Sequence, residues 1–186
     1  MIQPAFSPAE VAALLGLPER HVRKEIEHGL LSTGTPPRVE FQALVYFEAL
    51  RMMDLDLGVD DRKKVLTTIR NALVHKRLPE SVELSSVLRL EIGALVRDLR
   101  ARVGAFSRWR EKLVRSADIL GGEPVFPKSR LAVSRVAGLA ERGESVQSIL
   151  KDYPYLTEQD VAFARLFVRA YPRVGRPREQ RQAPSR

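Results

Sequence analysis

Four side chains that can bind an anion or a base edge crowd the segment from position 20 to 24: Arg20, His21, Arg23 and Lys24. On a helix Arg20, Arg23, Lys24 and Glu27 fall at i, i+3, i+4 and i+7, a single face, while Val22 and Ile26 share the opposite one. The planar fork of arginine bonds O6 and N7 of guanine together, or grips a phosphate. Lys24, a point cation, suits phosphate. His21 reads either as a base or phosphate contact or as a solvated helix residue. Glu19 and Glu27 read as acceptors from cytosine N4 or as plain surface charge.

The elements that must hold this face outward lie on both sides of it. Ser7-Pro8-Ala9-Glu10 is composed as a helix start: a capping serine, a proline at the first helical position, and a glutamate that completes a capping box. Phe6 and Val11 form a hydrophobic staple across that start. Val11, Leu14 and Leu15 then run into Gly16, which supplies the positive φ of a sharp turn. A second helix follows from about Pro18 to His28, with Gly29 as its breaker. Two helices joined by a glycine-containing turn make a helix-turn-helix, whose second helix lies in the DNA major groove. Ala12, four residues before Gly16, is small enough to let the helices approach; Val22, six residues after it, packs back onto the first helix.

The bulk composition sets the frame. A chain of 186 residues with 44% hydrophobic residues has enough apolar material for one medium domain or two small ones. A net charge of +8 makes a polyanionic partner plausible, although surplus cations also serve merely as a solvated face. With no cysteine there is neither a disulfide nor a thiolate metal site. No signal pattern opens the chain and no apolar run reaches membrane-spanning length, so the expected location is cytoplasmic, away from membranes. The expected protein is not an enzyme, with no catalytic residue, no metal site and no cofactor. His21, His28 and His75 lack ligand spacing, no phosphate loop of GxxxxGK type occurs, and Trp109 and the four tyrosines are scattered rather than gathered into a stacking platform.

Downstream, residues 31–39 are rich in turn formers and read as a loop or a small wing-like hairpin containing Arg38. Helical spacing returns from residue 40 to about 53, with Phe41, Leu44, Val45, Ala49 and Met52 along one face. Asp60-Asp61 opens another helix, whose apolar side holds Val65, Ile69 and Leu73. Leu88, Leu90 and Ile92 alternate with Arg89 and Glu91, the pattern of a strand or hairpin. Ile92, Leu95, Val96, Leu99, Val103 and Phe106 mark an amphipathic helix, a connector or dimer seam or else a stripe packed onto its own domain. Gly121-Gly122-Glu123-Pro124 is the clearest boundary. Three helices are expected beyond it: residues 133–142 ended by Gly143, a helix capped by Ser145 and reaching about Lys151, and one opened by Thr157 and reaching about Ala170. Thr157 with Asp160 repeats the capping box, and Leu156 with Val161 repeats the staple. The last stretch loses apolar periodicity and reads as a flexible basic tail, in which five arginines (Arg173, Arg176, Arg178, Arg181 and Arg186) stand against Glu179, a net +4.

Two families are resembled. Residues 6–31, including the ending Gly29-Leu30-Leu31, and Arg38 in the wing resemble the winged helix-turn-helix of MerR-like transcriptional regulators, over about the first 75 residues. The chain departs from that pattern at Pro18, where a capping Ser or Thr is frequent, and at Glu25, where an aromatic or apolar residue is common. No Cys-rich effector site follows. Residues 121–164 resemble the family called domain of unknown function 433, through Gly121, Gly122, Pro124, Val125, Phe126, Arg130, Val133, Gly143, Tyr153, Pro154, Leu156 and Thr157 in order, with Lys128-Ser129 replacing Gly-Thr and Ala132 replacing Pro.

The second resemblance implies a homeodomain-like three-helix bundle of the kind found in bacterial antitoxins encoded beside a toxin with a PIN-like ribonuclease fold. Together the two imply a mainly α protein, an N-terminal winged helix-turn-helix plus a C-terminal three-helix bundle with a few short strands between. The divisions are residues 1–78 for DNA binding, 79–117 as a connecting strand and helix that can dimerise, 118–171 as the antitoxin-type domain, and 172–186 as the tail. The implied protein is a type II antitoxin of the virulence-associated-protein B kind, a homodimer that represses its own operon on double-stranded operator DNA and neutralises the ribonuclease. Arg130 reads as a salt-bridged residue that fixes its loop, or as a base contact. Arg173, Arg176 and Arg178 read as a plug for the acidic cleft of the toxin through bidentate pairs, or as a non-specific nucleic-acid tail. Two other readings stand beside the antitoxin: a stand-alone MerR-like regulator, and a toxin-binding module whose helix-turn-helix is purely structural.

Overall fold

Ser7 opens the first helix as its residue type dictates: its hydroxyl accepts from the Glu10 amide at 3.1 Å, and the Glu10 carboxylate accepts from the Ser7 amide at 2.7 Å. A cap of this kind contributes about 1 kcal/mol. The computed structural model of the chain describes residues 5–31, 34–75 and 77–172. In order these form β1 (Ala5–Phe6), α1 (Pro8–Leu15), α2 (Glu19–Glu27), β2 (Val39–Glu40), α3 (Phe41–Met53), α4 (Val59–Val74), β3 (Val82–Ser85), β4 (Leu88–Leu90), α5 (Ile92–Glu111), a 3-10 turn at Leu120–Gly122, α6 (Val133–Glu141), α7 (Val146–Asp152) and α8 (Glu158–Ala170). The protein is mainly α with two short two-stranded sheets.

Gly16 ends α1 at φ +68°, a left-handed conformation that a side chain would strain, and the three residues 16–18 turn the chain into α2. The wing differs from a local hairpin. Within the described residues, β2 pairs with β1 in antiparallel register, Ala5 opposite Glu40 and Phe6 opposite Val39, so the strand that follows Arg38 is paired with one that precedes α1. The expected alternation near residue 88 is a true hairpin, β3 against β4 with an irregularity between Glu83 and Ser85.

Two apolar cores share the helix α5. At 20 residues it is roughly 30 Å long. Its first half buries Ile92, Leu95, Val96 and Leu99 among Val11, Val22, Leu44, Tyr46 and Ile69. Its second half buries Phe106 and Trp109 among Phe126, Val136, Ile149, Val161 and Phe167. The stripe on α5 is thus covered by its own chain. The second core is a three-helix bundle in which α6 packs on α8 and α7 bridges them. Thr157 and Asp160 complete a second capping box at the start of α8.

Contacts cross the Gly121-Gly122 boundary. Helix α1 packs against α8, because Ala13, on the side of α1 away from Val11, is buried in the C-terminal core. Trp109 donates its indole N–H to Asp160 at 2.8 Å and packs edge-on or tilted against Phe126, Phe163 and Phe167. The loop at 127–132 is fixed by Ser129, whose hydroxyl donates to the Phe126 carbonyl at 3.0 Å and accepts from the Leu131 amide at 3.2 Å. Arg130 does not fix it: the side chain is exposed and has no ion pair among the described residues, which corrects its reading as a salt-bridged anchor.

Candidate nucleic-acid interface

The rotation of α2 about its own axis decides what it shows to solvent. Val22 is fully buried, and Glu25, one turn later, is only 5% exposed. Burying an acid is unfavourable unless it is paired and hydrogen-bonded. Glu25 is both: the Tyr46 hydroxyl of α3 donates to it at 2.9 Å, and Arg62 of α4 lies 3.2 Å from its other oxygen. Arg62 also reaches His28 Nδ1 at 3.2 Å. Burial, and then the hydrogen bond to Glu25, push the Tyr46 phenol well above its ordinary range, so it stays a neutral donor. This tie between α2, α3 and α4 is absent from the sequence reading, which places Glu25 only as a departure from a pattern. Its signal is positional: Glu25 stands three residues after Val22, on the inward face.

With that face fixed, Arg20, His21, Arg23 and Lys24 are all exposed. Arg20, His21 and Lys24 make no side-chain hydrogen bond or ion pair with other described residues. Arg23 pairs with Glu19 one turn before it at 2.5 Å, with 56% of its side chain exposed. An exposed i, i+4 pair of this kind is worth at most a few tenths of a kcal/mol, about 0.3–0.5, so a phosphate or guanine can displace the carboxylate. A groove of about 380 Å³ flanks the helix, lined by His21 and Lys24 together with Leu17, Phe47, Leu50, Arg51 and Arg62. Arg51 and Arg62 are therefore cations that the fold adds to the face. Arg51 is paired with the buried Glu48, which also lies 3.9 Å from Arg102 of α5.

Arg38 projects from the base of the wing with half its side chain exposed, and its guanidinium lies 3.0 Å from Glu10. The structure thus brings Arg20, His21, Arg23 and Lys24 onto one helix and sets Arg38 on a different element, held by the acid that caps α1. Arg173, Arg176 and Arg178 lie outside the described residues. Among the described residues no cluster of three or more His, Asp or Glu is arranged to hold a metal ion, and no helix is long and apolar enough to cross a membrane.

A protein-family model described as "Protein of unknown function (DUF433)" matches residues 113–168, from just after α5 through most of α8. An uncharacterized protein, y4eO of Sinorhizobium fredii (strain NBRC 101917 / NGR234), is 32% identical over 91 residues, 49% of this chain and 41% of that protein. The chain therefore spans about two fifths of the length of the curated relative it matches. The crystal structure of Rv2018 from Mycobacterium tuberculosis aligns with 88% of this chain and 98% of its own at 15% identity and a TM-score of 0.34.

Proposed function

We propose that this chain binds double-stranded operator DNA through α2 and the wing, and that it acts as the autorepressing antitoxin of a type II toxin–antitoxin pair, a homodimer whose other partner is a PIN-like ribonuclease. One observation carries the DNA-binding half of this reading: the Glu25–Tyr46–Arg62 tie turns α2 so that Arg20, His21, Arg23 and Lys24 all face solvent beside Arg51. A helix with one face locked inward and a cationic face outward can enter a major groove without rearrangement, placing arginine forks at base edges and Lys24 at phosphate. The second half rests on the resemblance of residues 121–164 to a family found in bacterial antitoxins; the family model matched at residues 113–168 carries no function in its description.

Titration of the operator DNA upstream of the gene tests the reading. Arg23→Ala weakens specific binding by about 1–3 kcal/mol if the fork reads a base, and Lys24→Ala lowers the slope of log affinity against log salt by about one. Binding insensitive to both changes sinks the DNA-binding reading. Coexpression with the product of the adjacent open reading frame tests the other half; a neighbour without ribonuclease activity, or one this chain does not inhibit, removes it.

A second reading, a toxin-binding module whose helix-turn-helix is structural, draws on the pairing of Arg23 with Glu19 and of Arg38 with Glu10. The same titration separates the two.

A further inference from the structure

Glu10 does more than cap α1. Its side chain is 9% exposed, and its two oxygens accept from four directions. One takes the Ser7 amide at 2.7 Å and Arg38 at 3.0 Å. The other takes the Tyr171 hydroxyl at 2.6 Å and Arg110 of α5 at 3.4 Å. Arg110 in turn donates to the Tyr171 oxygen and lies 5.7 Å above its ring. A carboxylate has about four lone-pair positions, so this one is filled. Tyr171 is the residue that follows α8, and the closing residues of the C-terminal domain thereby meet the base of the wing through one acid.

These contacts differ in how easily they part. The Ser7 amide belongs to the cap itself, and Arg110, although 41% exposed, starts from α5 and is also held by the Tyr171 hydroxyl and ring. Arg38, by contrast, leaves 51% of its side chain in water and has only Glu10 as an ion-pair partner among the described residues. A pair so exposed on one side is weak, and a phosphate competes for it. When Arg38 leaves, Arg110 still balances the charge on Glu10, so the buried carboxylate is not stranded.

We infer that Glu10 is a latch on the wing: it holds Arg38 away from polyanions, and Tyr171 and Arg110 set how firmly by taking up the rest of its charge from the C-terminal side. The inference rests on the DNA-binding reading and extends it, because it makes the wing's affinity for phosphate depend on the end of α8.

Four proteins titrated with the same duplex DNA test it: the parent, Glu10→Gln, Tyr171→Phe and Arg38→Ala combined with Glu10→Gln. Glutamine keeps the acceptor for the capping box and removes the charge. Releasing Arg38 onto phosphate raises affinity about threefold to tenfold near 0.1 M salt and steepens the salt slope by about one. Tyr171→Phe removes a donor from Glu10 and leaves more of its charge to Arg38, so affinity falls, by about twofold. The combined variant loses the gain. Opposite signs for the two single changes, with the gain dependent on Arg38, support the latch; general damage to the fold would lower affinity in both. A parent that binds while Glu10→Gln binds no better overturns the latch and leaves the DNA-binding reading intact. No binding by any of the four overturns both, and binding by Glu10→Gln but not by the parent supports the latch outright. If Glu10→Gln does not fold, Tyr171→Phe decides alone, and unchanged or tighter binding overturns the inference.

Discussion

Helices α1 and α8 begin with the same device and lie against each other, but their capping acids serve different ends. Asp160 accepts from the Thr157 amide and hydroxyl through one oxygen and from the Trp109 indole through the other, so it ties α8 to the core that α5 already fills. Glu10, one methylene longer, reaches past its cap to Arg38, Arg110 and Tyr171, which belong to three other elements. The short acid ties α8 to the core it shares with α5. The long one joins the wing to the far end of the chain.

The first way to break this comparison is at Trp109. Trp109→Ala removes the centre of the aromatic cluster and should lower unfolding free energy by about 3–5 kcal/mol in a denaturant titration. Trp109→Phe keeps most of the packing and gives up the bond to Asp160, for a loss nearer 1 kcal/mol. A Trp109→Phe variant as stable as the parent would show that Asp160 contributes nothing through the indole. Next in size is Thr157→Ala, expected to cost about 1 kcal/mol of stability while leaving the salt slope of DNA binding unchanged. A changed slope would mean that the C-terminal box is also coupled to the wing. The smallest effect is at alkaline pH. Burial, and then the hydrogen bond to Glu10, push the Tyr171 phenol up to about 12 from 10.0, against an opposing influence from Arg110. A phenol whose folded pKa lies above its unfolded one stabilises the fold fully below the unfolded value, and that contribution drains away as pH rises from 10.0 through about 12. Thermal midpoints measured across that window should fall less steeply in Tyr171→Phe than in the parent.

Most of the local architecture is readable in the sequence because local rules govern it. Ser7 with Glu10, Gly16, Gly29, Ser145 and Thr157 with Asp160 stand where helices start or stop, and each is recognised within four residues of its partner. The base of the wing is less readable. Its partner strand is two residues long and more than thirty positions away, so no alternation announces it. The docking of α1 on α8 is hidden for a related reason: periodicity tells which side of a helix is apolar, not what covers it. There was nevertheless a signal. The segment PAEVAALL is apolar on nearly every side, the mark of a helix buried from two directions.

The candidate face shows the same division. Its exposed cations follow from spacing within α2 alone. The tie that aims them does not, since Glu25, Tyr46 and Arg62 come from three helices and become partners only when those helices pack.

The seam between α1 and α8 also bears on how the molecule is made. On the ribosome α1 emerges well ahead of the surface that receives Ala13, which is synthesised some 150 residues later with Val161, Ala164 and Phe167. Until then the first domain carries an uncovered flank, open to holdases and proteases. A chain stopped short of α8 would keep its cationic helix and lose that shelter, so message truncation should clear the protein from the cell rather than leave a working fragment behind.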